Sequence, residues 1–132
     1  MAEFIILPAL VYGLILGIIE LVFLAKDEAG MHWLKHGLHA LPTMMIFTFV
    51  AFNISWTLGL IGVADNFTID LAARIGIGLI AMIKTKAAAS ITGRGGAGES
   101  WTHVLIIGVL MMTGPYIWEF GLKDILNPYL PF

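Results

Sequence analysis

Cysteine is absent from the 132 residues, and charged residues make up only 12% of them. The first absence excludes disulfides, thiolate metal sites, cysteine nucleophiles and palmitoylation. The second, set against roughly 25% charge in an ordinary soluble domain, leaves too little polar surface to coat a water-soluble body. Basic residues are also too few and too scattered to make an electrostatic stripe. Seven Lys and Arg stand against nine Asp and Glu, for a formal net charge of −2, so nucleic acid is not an expected partner. No HExxH sequence supplies a hydrolytic base beside paired histidines. The glycine-rich stretch 93–98 lacks the Lys-Ser/Thr ending of a phosphate loop and reads as a linker.

What is present is apolar: 59% of the chain is hydrophobic. A helix needs about 20 mainly apolar residues to cross a hydrocarbon core of about 30 Å, and the sequence divides into four such stretches. The fold class expected is therefore an all-α integral membrane protein, a bundle of about four transmembrane helices with short loops. The expected crossings are residues 4–24, 41–64, 70–91 and 101–121 in a single domain. An interfacial segment is expected over 25–40, a glycine-rich linker over 92–100 and an interfacial tail over 122–132. The first stretch carries no Lys or Arg before it and outruns a signal-peptide core, so it reads as a retained helix. The third is the weakest, because Arg74, Lys84 and Lys86 interrupt it and its ends must snorkel. Asp65-Asn66-Phe67-Thr68 reads as a short turn followed by that helix's cap, and Gly114-Pro115 as a kink in the fourth.

Orientation follows from Lys and Arg in the short loops. Lys26, Lys35, Lys84, Lys86 and Arg94 fall on one side, against Arg74 and Lys123 on the other. Loops 25–40 and 92–100 are thus expected in the cytoplasm, both termini outside, and the chain in the plasma membrane. Trp33 and Trp101 are placed at the inner interface and Trp118 and Tyr129 at the outer one, as aromatic belts.

Four groups of residues could carry chemistry. Gly13, Gly17 and Glu20 fall at i, i+4 and i+7 and so share one helix face. The glycines admit a neighbouring backbone, and the carboxylate on that face is costly in lipid unless it meets protein or water. Glu20 is either a proton- or cation-binding group or the partner of Lys84 or Lys86 at the same depth. Arg74 and Glu119 are expected at comparable heights and read as a salt bridge, with Asp70 competing for Arg74 at i, i+4. Asn53 and Thr57 share a face of the second crossing and either hydrogen-bond across helices or line a pore.

His32, His36 and His39 stand at i, i+4 and i+7, and His103 returns to the same boundary. Neutral imidazoles at this spacing can hold Zn or Cu, while the alternative is a polar face against lipid headgroups. No cofactor is expected beyond that metal option, and enzymatic activity is not expected.

The partners these features imply are the lipid bilayer and other membrane subunits or copies of the chain itself. The leading function is a small non-catalytic accessory subunit packed against other helices in a membrane complex. Its alternative is a homo-oligomeric channel or transporter for an ion or small solute that uses Glu20.

Overall fold

A computed structural model describes residues 3–27, 32–63, 66–92 and 100–130, with side chains described over those ranges except 27, 32–36 and 87–92. The described residues are mostly helical, with no strand among them: α1 (Leu7–Asp27), α2 (His32–Phe52), α3 (Ile54–Leu60), α4 (Phe67–Thr92), α5 (Trp101–Ile117), a π turn (Trp118–Leu122) and α6 (Lys123–Leu126).

α1 opens with Pro8 in its first turn, where the missing N–H has no intrahelical partner to lose. Its small residues decide what it packs against. A Cβ on Gly13 would lie 3.1 Å from the Met45 Cα, and one on Gly17 would lie 3.1 Å from Leu41 Cγ. One on Gly37 would run into the Leu21 side chain. Each step of four along α1 is thus matched by a step of four back along α2, and the two helices lie antiparallel at close range. The same device joins α4 to α5, where Met112 fills the space over Gly78 and Met82 the space over Gly108. Flexible thioethers suit such irregular gaps. Between these two hairpins lies the apolar core, which includes Ala9, Tyr12, Leu16, Met44, Ile107 and Met111.

Packing against α1 explains why the second long helix begins at His32 rather than at residue 41. Gly37 and Leu41 belong to its contact face, so the expected interfacial stretch over 32–40 is the first part of α2. The helix breaks at Asn53, and α3 continues at an angle of 57°. The cause is local. The Asn53 side chain donates to the Phe49 carbonyl, as its own backbone N–H also does, and the Thr57 hydroxyl donates back to the Asn53 carbonyl. Side-chain bonds of this kind compete with the helical ladder and bend it. α3 then closes on Gly62, whose φ of +79° suits glycine. Gly62 N–H donates to Gly59 and Val63 N–H to Leu58, the two bonds of a Schellman ending.

Asn66 caps α4 through its side-chain oxygen, which accepts from Ile69 N–H, and Ser100 caps α5 by accepting from His103 N–H. Pro115 lies inside α5, and the backbone beyond it widens into the π turn. Helix therefore continues to Leu126, through the first residues of the expected interfacial tail. Trp118 is in this turn but buried against Phe52, so it is a core residue and not part of an aromatic belt. Trp101 and Tyr129 are exposed.

Among the described residues two helical stretches are long and apolar enough to cross a membrane, Leu7–Lys26 and Trp101–Leu126, and the bent pair Gly37–Phe52 with Ile54–Leu60 makes a third if it is one span. α4 is not among these stretches over its described side chains, which include Asp70, Arg74, Lys84 and Lys86. The outer surface carries many large apolar side chains. Leu10, Leu14, Ile18 and Val22 form an exposed ridge on α1, Leu71, Ile75, Leu79 and Ile83 one on α4, and Leu105 and Val109 extend it on α5. Water-soluble monomers rarely present apolar ridges of this extent.

Candidate functional site

The bundle holds its polar side chains inside, at two main levels. At one end Glu20 of α1 meets His103 of α5: Glu20 Oε2 lies 2.7 Å from His103 Nε2, and the side chains are 2% and 0% exposed. Sequence places both groups here by simple local rules. Glu20 follows Gly13 and Gly17 on the buried face of α1, and His103 is the third residue of a helix capped by Ser100. The Phe23 ring stacks on the imidazole at 4.8 Å between centroids, which shields one face of it with apolar surface. The expected partners of Glu20 are elsewhere. Lys84 points outward and is exposed, and the Lys86 ammonium sits 5.1 Å above the Trp101 ring.

Near the other end Arg74 of α4 gathers three elements. Its Nε and Nη2 donate to the two Asp70 oxygens, Nη2 also donates to Ser55 Oγ at 2.9 Å, and Nη1 donates to the Ala51 carbonyl at 3.0 Å. Ser55 Oγ donates to Asp70 Oδ2 at 2.6 Å, and the guanidinium lies 5.5 Å from the Tyr116 ring centroid. The planar fork of arginine makes such a bidentate arrangement possible. The expected Arg74–Glu119 bridge is not formed. Glu119 lies on the π turn, which faces it outward, and there it accepts from Lys123 Nζ at 2.8 Å. The i, i+4 competitor, Asp70, takes Arg74 because both ride the same helix.

Asn53 is a latch. Its Oδ1 accepts from Ile5 N–H at 2.7 Å while its Nδ2 donates to the Ile5 carbonyl at 2.8 Å. The extended segment before α1 is thereby pinned to the helix break, with Phe4 set against Phe49 and Trp56. Asn53 is buried and Thr57 is exposed, so the two do not line one passage. Between the ends, the Tyr12 hydroxyl donates to the Leu110 carbonyl at 3.0 Å, and Thr48 Oγ1 lies 3.6 Å from Met111 Sδ.

The histidine constellation lies partly outside the described side chains. His39 is exposed and His103 is sealed against Glu20, while the His32 and His36 side chains lie outside the described ones. Among the described residues no group of three His, Asp or Glu side chains could hold a metal ion.

Thr85, which the sequence did not single out, is buried and its hydroxyl has no hydrogen-bond partner. No sequence pattern marks it, since its burial follows from the pairing of α4 with α5. His103 as partner to Glu20 was missed as well, although the sequence places both residues near the same end of the bundle.

Chemically, the Glu20–His103 pair can share one proton, and the Arg74–Asp70 pair is a closed ionic joint. No protein-family model, curated protein or solved structure matches the chain.

Proposed function

We propose that this chain is a membrane-embedded, non-catalytic accessory subunit that packs its outer apolar ridges against lipid and against the helices of larger membrane partners. One observation carries the reading. Glu20, Arg74 and Asn53, the groups that would line a polar route, are each bonded inside the chain, while the outward surface is apolar. A body of this kind offers surface for packing and no open path for a solute.

α4 completes the proposal as a fourth crossing. Its buried Arg74 is neutralised by Asp70, and the exposed Lys84 lies near one end, where its stem can reach the interface. A Cβ on Gly76 would meet nothing within 4 Å, so this face leaves room for a partner backbone. Both termini then lie on the outer side of the plasma membrane, with 92–100 on the cytoplasmic side.

The alternative is a homo-oligomeric channel or transporter that uses Glu20. It is favoured by the burial of a titratable pair deep in the bundle.

Purification from the native membrane in mild detergent separates the two. The accessory role requires larger membrane proteins to co-purify at fixed stoichiometry, and recovery of this chain alone as a dimer or ring refutes it. For the alternative, the reconstituted protein must carry an ion flux that Glu20→Gln changes.

A further inference from the structure

We propose that Glu20, His103 and Thr85 form a buried site for one exchangeable proton, reached through water held at the Thr85 hydroxyl.

Geometry brings the three together. Gly78 faces Met112 and Met82 faces Gly108, so the next step of four sets residue 86 opposite residue 104. Thr85 therefore stands at the height of His103, and the Lys86–Trp101 contact agrees with that register. The inner face of α4 runs Arg74, Gly78, Ala81, Thr85, all buried, which turns the threonine inward where α4 packs against α5 and α2. Buried hydroxyls are nearly always bonded to protein or to ordered water. Thr85 has no protein partner, so water is the partner its chemistry calls for.

The charge balance then selects one proton. With one proton between them, Glu20 and His103 are neutral as a pair, whichever holds it. With none the pair is a buried anion, and with two a buried cation, and burial disfavours both. In the exchange step hydronium gives its proton to the Glu20 carboxylate. The neutral imidazole nitrogen remains hydrogen-bonded, and water is left at Thr85. The reverse step returns the proton to that water.

Among the described side chains, the charged or titratable groups of the surrounding elements at this end of the bundle are Lys26 on α1, His39 on α2 and Lys84 and Lys86 on α4. Lys26, His39 and Lys84 are exposed, and Lys86 is half-buried over Trp101.

The test is hydrogen exchange by NMR on the full chain, 15N-labelled and reconstituted in phosphatidylcholine nanodiscs, transferred into deuterium oxide. The His103 ring signal is assigned by His103→Gln. The expected result is that the His103–Glu20 proton exchanges while the Leu16, Ile107 and Met111 amides stay protected. Thr85→Val slows this exchange several-fold without altering amide protection, and Glu20→Gln moves the pH at which the His103 ring titrates.

Exchange of that proton only together with the core amides describes a sealed structural joint and overturns the proposal. A wild-type exchange rate in Thr85→Val overturns it equally. If Glu20→Gln does not fold, the wild type and Thr85→Val decide the matter. Neither depends on whether the chain has partners.

Discussion

Removing either member of the Glu20–His103 pair should be far more damaging than removing both. With the shared proton on His103, the two groups, 2.7 Å apart, attract by about 6 kcal/mol at an effective dielectric constant of about 20. Desolvation of both groups, each almost wholly buried, offsets most of that gain. Truncating one partner removes the attraction and leaves the other group desolvated, a loss of about 3–5 kcal/mol. Glu20→Leu and His103→Leu are each expected to destabilise the bundle by that amount. The double variant replaces the pair by apolar side chains of comparable volume and should lie within about 1–2 kcal/mol of the wild type.

Reversible unfolding in mixed micelles, titrated with a denaturing detergent and followed by circular dichroism, measures all four corners of the cycle. The coupling between the two substitutions is then large and favourable. Additive losses, or single substitutions that each cost less than about 1 kcal/mol, would refute the pairing as a cohesive element of the fold.

Three other outcomes are expected from the geometry. Asn53→Leu removes three side-chain hydrogen bonds, an expected loss of about 2–3 kcal/mol; the Ile5 amide should exchange faster, and an unchanged rate would mean that Asn53 does not hold the segment before α1. Gly13→Leu forces a side chain against the α2 backbone and should cost about 1–3 kcal/mol. Gly76→Leu should leave the isolated chain as stable as before yet lower the recovery of partners, and equal destabilisation by the two glycine variants would contradict the packing described. Arg74→Lys keeps the charge but cannot satisfy Asp70, Ser55 and Ala51 together, so detergent unfolding should register a loss of about 1.5–3 kcal/mol.

Much of the local structure was legible because its causes are local. The cap expected in the stretch 65–68 is supplied by Asn66, whereas Ser100, read as the end of the linker, is a cap that was missed. The glycines at 13 and 17 promised a close backbone approach, and the structure supplies it from α2 of the same chain. Charge pairing was less legible. Depth alone assigns partners to Glu20, Arg74 and Glu119, and depth does not say which way a side chain points around its helix. Asp70 wins Arg74 by lying one turn away on the same face, a contact that needs no assumption about neighbouring helices. Glu119 is turned outward by the π turn after Pro115, a backbone widening that residue types do not announce. Charge and histidine before residue 41 suggest a later start for α2 than the structure shows. Packing against Leu21 and Gly17 extends the helix through them.

Hydrophobic length and scarcity of charge determined by themselves that the chain is helical, with stretches able to cross a membrane, since both are sums along the chain and need no knowledge of neighbours. The tertiary structure alone decided that His103 closes on Glu20, that Asn53 grips Ile5 and that the Thr85 hydroxyl is buried unpartnered. Each of these depends on the rotation and register of one helix against another, and that is set by where glycine lets the backbones meet.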